Sequence, residues 1–314
     1  MRTALTALTD ELKRLKSTGV KSVAVSEESV AALRRVIAAR RSAAMPAAES
    51  PRTEPASAPR PSASAPVSMP VSAPVRPAPA PKPPEAEVRK LPAPPVVTLP
   101  PGDKTTRWAW LREQVLTNPV CAANVRPGKK IVLGVGSLDA KIMFVGEAPG
   151  AEEEIQGEPF VGPAGQLLTR MIGGMGLKRE EVYIGNIMNW RPQMPVAAGA
   201  EQVGNRPPTP EELAFCLPFL RAQIEIVNPL LIVALGSTAA QGLLGADSFK
   251  TLGEIRGRWQ QFAGKPVMVT YHPSYILRNA SNRSKRMVWE DLLQVMDRAG
   301  MPISDKQRGY YLDK

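Results

Sequence analysis

The sequence predicts an α/β domain with a mainly parallel sheet covered by helices on both faces, confined to the last two-thirds of the chain. Three observations carry this reading. Beyond about residue 107, short apolar runs alternate with helical stripes, the signature of such a fold. Each run ends where small or polar residues begin. Before it, 18 of the 33 prolines fall within residues 46–101, among Ala, Ser and Val. That composition buries too little apolar surface to offset the entropy of ordering.

Taken in order, residues 1–44 form a short basic segment with two helical stripes. Leu5, Leu8, Leu12 and Leu15 recur at spacings of three and four, and Ser26 caps an acidic first turn before Val30, Leu33 and Ile37. This pair either docks onto a partner or is a weakly ordered basic tail. Residues 45–105 read as a disordered Pro/Ala-rich linker with polyproline character. Residues 106–300 form the folded domain, and 301–314 a C-terminal tail. Four core strands are expected at 140–145, 181–185, 230–235 and 266–271, with helices at 165–175, 209–227, 237–244 and 284–298. The second of these helices opens on Thr209-Pro-Glu-Glu, a helix-start signature.

The net charge of +11 invites a nucleic-acid reading, but residues 1–100 hold 15 Lys+Arg against 8 Asp+Glu, leaving 25 against 21 for the rest. The folded domain is only mildly basic. Two cysteines exclude a disulfide framework, and the charged start MRTALTALTDELKRLK is unlike a signal peptide. No apolar run approaches the roughly 20 residues needed to span a bilayer. These features point to a cytoplasmic protein.

Ligands of parallel sheets bind outside the carboxyl ends of the strands. That rule selects GEAPG (146–150), Asn186, Gly236-Ser-Thr and His272-Pro-Ser. The first opens an irregular Gly- and Pro-rich path to Gly165 without the spacing of a phosphate loop or a dinucleotide fingerprint. Its carboxylates, Glu147 and 152–154, form either a solvated surface or part of a site. His272, the only histidine, is either a locally bonded strand-end residue or a catalytic one. Asn186 offers an acceptor and a donor that match a pyrimidine's N3–H and O4, or else simply makes a turn. Phe160 is either core or a platform on which a base stacks.

GEAPG-AEEE-IQGEPFVGPAGQLL, YIGN, a later RP and HPSYILR, in that order, resemble the family-four uracil-DNA glycosylases over residues 107–298. The resemblance implies a four-stranded parallel α/β/α sandwich and a monofunctional enzyme of base-excision repair that flips uracil out of DNA and hydrolyses its N-glycosidic bond. It implies that Phe160 stacks on the flipped uracil, that Asn186 bonds its Watson–Crick edge and that His272 donates to O2. Glu147 and Ala148 would line the base pocket, and either Glu147 or Glu153 would position the water. Ser237, Ser274 and Arg278 would grip phosphates, and 275–278 would reach the gap in the stack. DNA containing uracil is the implied partner, with a replication or repair protein as a candidate partner of the N-terminal segment. Two other readings share the fold: a DNA-binding relative that has lost catalysis and serves as a damage sensor or replication accessory, and a glycosylase shifted toward hypoxanthine or xanthine.

The family also carries a [4Fe-4S] cluster on four cysteines. Here Cys121 and Cys216 match two of them, while Asn118 and Trp190 stand at the other two positions. An amide and an indole leave no plausible ligand set, so no cluster and no other cofactor is expected. Trp190 would fill the vacated volume with apolar surface.

Overall fold

The computed structural model describes residues 91–196 and 200–312; the two expected N-terminal helices and most of the linker lie outside the described residues. Six strands form one sheet in the order β1-β3-β2-β4-β6-β5. The four central strands, β2 (Ile142–Gly146), β3 (Tyr183–Asn186), β4 (Leu231–Leu235) and β6 (Lys265–Thr270), are parallel and match the four expected runs. The expected strand count is corrected from four to six. β1 (Val135–Gly136) pairs antiparallel with β3, and β5 (Trp259–Phe262) with β6. Neither edge was legible, because one is two residues long and half glycine, and the other carries two glutamines within four residues.

Strand alternation sends side chains to two covered faces. On one face Phe144, Ile184, Val233 and Met268 meet α4 (Pro163–Gly174) and α9 (Asn282–Arg298). On the other, Met143, Val145, Ile232 and Val267 meet α5 (Pro210–Val227) and α6 (Ser237–Leu244). The Thr209 signature works as read: its hydroxyl accepts from the Glu212 amide at 3.2 Å, and Glu212 accepts from the Thr209 amide at 2.8 Å. A third apolar cluster joins the outer side of α5 to α1 (Lys104–Leu116) and α2 (Pro119–Ala123). Leu91, Val97 and Leu99 pack against it, so the packed chain begins at least 15 residues before the expected boundary at 106.

Three short helices complete the site. α3 (Ala151–Gln156) occupies a stretch read as an irregular path, α8 (Pro273–Arg278) one to which no element was assigned, and α7 (Leu252–Ile255) lies between α6 and β5. The tail is not featureless either, since α10 (Asp305–Arg308) is followed by Tyr310, whose ring packs 5.1 Å from Trp289. Among the described residues no helix is long and apolar enough to cross a membrane.

Candidate active site

Parallel registers bring Gly146 beside Asn186 and Leu235 beside Thr270, so the chain leaves four strands along one edge. A cavity of about 670 Å³ opens there, and Glu147, Ala148, Glu153, Phe160, Asn186, Ser237, His272, Ser274 and Arg278 all line it. Glu152 and Glu154 of the acidic run, and the four cysteine-equivalent positions, do not line it.

Close approach at the floor depends on Gly146. A Cβ there would lie 2.4 Å from both Asn186 Oδ1 and Phe160 Cζ. Asn186, the last residue of β3, is 6% exposed, and its Oδ1 has no hydrogen-bond partner in the protein. A buried acceptor left open costs on the order of 1–3 kcal/mol unless a ligand or water fills it. Phe160 sits in the left-handed region at φ 54°, which costs a side-chain-bearing residue energy that the surroundings must hold in place. Two contacts do so. A Cβ at Gly165 would lie 1.8 Å from the Phe160 carbonyl oxygen, so only glycine admits this turn, and Arg179 donates to the Pro159 carbonyl at 2.6 Å.

The two candidate carboxylates differ in what they touch. Glu153 is spent on backbone: one oxygen accepts from the Gly150 amide at 3.0 Å, the other from the Val161 and Gly162 amides, each at 3.1 Å. It ties α3 to the turn that carries Phe160. Glu147 is free of such bonds; burial raises its pKa, and the Thr238 hydroxyl opposes the shift.

His272 is the N-cap of α8, and its Nδ1 accepts from the Ser274 amide at 3.2 Å with the Ser274 hydroxyl at 2.8 Å. An Nδ1 that accepts leaves the proton of the neutral ring on Nε2. Burial, assisted by the positive charge of Arg278, lowers the pKa to about 4, so the ring is neutral near pH 7. Its centroid is 5.6 Å from that of Phe160. Ser274, expected at a phosphate, hydrogen-bonds the histidine ring. Ser237 and Arg278 are exposed at the rim.

Thr238, inside the selected Gly236-Ser-Thr segment, lines the wall as well, whereas sequence reasoning missed Asn205 and Tyr271. Tyr271 could have been found from its place next to His272 after β6. Asn205 had no such signal, because a buried hub delivers it: Arg191, 5% exposed, donates to Asn205 Oδ1 at 2.7 Å, Glu154 Oε1 at 2.8 Å and the Gly204 carbonyl at 2.7 Å.

The cysteine corner lies outside this cavity. Cys121 and Cys216 are fully buried in the apolar cluster with Trp190, Phe215 and Phe219, and desolvation pushes the Cys121 thiol up to about 12. Asn118 caps α2, its Oδ1 accepting from Val120 and Cys121 at 3.0 and 3.1 Å. Trp190 packs 6.0 Å from Phe215 with its indole N–H buried and unpartnered. Two thiols, a spent amide oxygen and an indole do not fit the four-thiolate set of a [4Fe-4S] cluster. Among the described residues no group of three or more His, Cys, Asp and Glu could hold a metal ion.

A profile of the Uracil DNA glycosylase superfamily matches residues 133–293, the span from β1 to α9 that builds the cavity. Over 165 residues the chain is 47% identical to a type-4 uracil-DNA glycosylase of Thermotoga maritima, covering 52% of this chain and 79% of that one. Type-4 uracil-DNA glycosylases of Archaeoglobus fulgidus and Saccharolobus solfataricus are 43% and 39% identical, over 46% and 54% of this chain and 71% and 76% of theirs. A shared profile across the whole sheet, with identity of this order to three type-4 enzymes over about half of the chain, means that the chain belongs to the uracil-DNA glycosylase superfamily, in its type-4 branch.

Proposed function

We propose that this protein excises uracil from DNA, leaving free uracil and an abasic site. The observation that supports this most is the unpartnered Oδ1 of Asn186, in the cavity that Phe160 and His272 also line. A buried acceptor at that point pairs with the N3–H that uracil has and cytosine lacks, while the amide nitrogen donates to O4. Phe160 stacks on the extruded base, and Ala148 closes the pocket.

Bond cleavage sends the N1–C1′ electron pair onto uracil, and the anion is stabilised at O2 by the Nε2–H of a neutral His272. A water oxygen bonds to C1′ on the oxocarbenium-like sugar, and Glu147 takes its proton; a carboxylate with a raised pKa suits that task. Glu153 acts through the loop by holding Phe160 and α3. Ser274 orients His272, and Ser237 and Arg278 contact backbone phosphates. We infer that no iron–sulfur cluster takes part, because the donors at that corner are used elsewhere or are apolar. Residues 1–90, ahead of the segment that packs on the third apolar cluster, are proposed to aid recruitment to DNA or to a repair protein. Their removal should leave cleavage of short oligonucleotides intact.

Asn186→Ala tests the reading. Loss of one base-reading bond in a dry pocket removes about 2–3 kcal/mol of transition-state stabilisation, on the order of a hundredfold in single-turnover rate. Affinity for uracil-free duplex should stay the same. An unchanged rate on uracil would remove Asn186 from the site and the reading with it.

A further inference from the structure

Asp291 on α9 is a carboxylate 1% exposed, and it does not line the base cavity. Groups from three elements face it. From the end of β6, the Thr270 hydroxyl donates to its Oδ2 at 2.6 Å. From the turn after α7, one guanidinium nitrogen of Arg256 lies 2.8 and 2.9 Å from its two oxygens and also donates to the Met287 carbonyl at 2.8 Å. From its own helix, Glu290 adds a like charge, itself held by Arg286 at 2.8 Å.

The chain that this network holds runs directly into the site. Thr270 precedes Tyr271 and His272, and its carbonyl accepts from the Gly236 amide at 2.8 Å, tying the ends of β4 and β6 together. The Arg256 guanidinium lies 5.4 Å from the centroid of the Tyr271 ring. Tyr271 in turn stacks on Tyr275 with centroids 4.3 Å apart and planes 13° from parallel, and both rings line the cavity on either side of His272 in sequence. Burying an ion pair is a poor way to gain stability, since apolar replacements often do as well, but it can fix one arrangement where apolar packing tolerates several. Here the arrangement fixed is the strand end from which the base-facing histidine projects.

We propose that Asp291, acting through Thr270 and Arg256, is a positioning residue that sets His272 and the Tyr271–Tyr275 stack for glycosidic bond cleavage. The proposal rests on the uracil-excision reading. Its role is exerted at the bond-breaking step and not in holding DNA, because none of the three network groups other than through the tyrosines reaches the cavity.

The test uses the full chain with Thr270→Val, Thr270→Ser and Asp291→Asn. Thr270→Val keeps the volume and loses the hydroxyl, whereas Thr270→Ser keeps the hydroxyl. Single-turnover cleavage of a uracil oligonucleotide is read against affinity for the same oligonucleotide carrying 2′-fluoro-2′-deoxyuridine, in which fluorine slows base loss, and against the melting temperature. Thr270→Val and Asp291→Asn should cleave about tenfold to a hundredfold more slowly, the cost of a small misplacement, with affinity within about twofold of the starting protein on the same physical ground that the DNA contacts remain. Thr270→Ser should recover most of the rate. A component of the wild-type rate that falls as pH drops through about 6, where Asp291 takes up a proton, should be missing from Asp291→Asn. Rates equal to wild type, Thr270→Ser as slow as Thr270→Val, or rate and affinity lost together with the melting temperature would each overturn the proposal. Should Asp291→Asn fail to fold, the Thr270 pair decides alone. A wild-type protein that cleaves no uracil overturns the uracil-excision reading instead, a result distinguishable from variants that match an active wild type.

Discussion

Single residues in this site are separated by what their atoms are already bonded to. Glu147 and Glu153 were equivalent in the sequence because both lie in the same Gly- and Pro-rich segment after one strand. Three backbone amides distinguish them. Glu147→Gln should slow cleavage strongly with the melting temperature nearly unchanged, while Glu153→Gln should cost about 2 kcal/mol of stability as well as rate. Ser274, expected at a phosphate, also bonds the His272 ring, a contact two residues away that a rule about strand ends does not reveal. Titration adds a second expectation. His272 holds a proton only below about 4 in the folded chain against 6.5 ordinarily, so its contribution to stability is present above 6.5 and is lost as pH falls toward 4. Asp291 is raised from 3.8 to about 6, so its contribution is present below 3.8 and is lost as pH rises through 6. Each is on the order of 3 kcal/mol. Between pH 4 and 6 they oppose, and the wild-type urea midpoint should change little from these two groups. Across that window His272→Gln should lose stability relative to wild type as pH rises, and Asp291→Asn should gain it. Two variants that run parallel to wild type would show that neither group titrates as described.

At the scale of elements, the four parallel strands were legible because each is a buried run closed by a small or polar residue. The short helices were not. α3 carries three glutamates in six residues, and α8 follows His-Pro; they are set by side-chain bonds to backbone, from Glu153 and from His272, that apolar periodicity does not reveal. Edge strands escaped for want of apolar length. What the sequence did show was the cluster of glycines between β2 and α4, and one of them is decisive. Gly146→Ala would set a methyl 2.4 Å from Asn186 Oδ1 and Phe160 Cζ, so one of these must move. The expected outcome is a folded protein by circular dichroism whose single-turnover rate falls about a hundredfold, as misplacement of about an ångström does. Wild-type rate in this variant would mean that the close approach of base reader and stacking ring is unimportant.

For the whole molecule, the order of motifs along the chain sufficed to place the site at one sheet edge, since parallel topology leaves few alternatives. The start of the packed chain was not legible, because Leu91, Val97 and Leu99 are embedded in proline-rich sequence that resembles linker. The corner around Cys121, Cys216 and Trp190 is legible from residue types, and there the indole of Trp190 packs with Phe215 in an apolar cluster. Anaerobically purified protein should contain neither iron nor acid-labile sulfide in stoichiometric amount; about four irons per chain would contradict it. The measurement that bears most directly on the whole account is cleavage of otherwise identical oligonucleotides carrying uracil, hypoxanthine, xanthine or thymine, with alkali to reveal abasic sites and chromatography to identify the free base. The account expects release of uracil with one abasic site per base released, and no cut at thymine. Preferred release of hypoxanthine or xanthine would overturn the assignment of Asn186 to a uracil edge, and no cleavage of any of the four would contradict the enzyme itself.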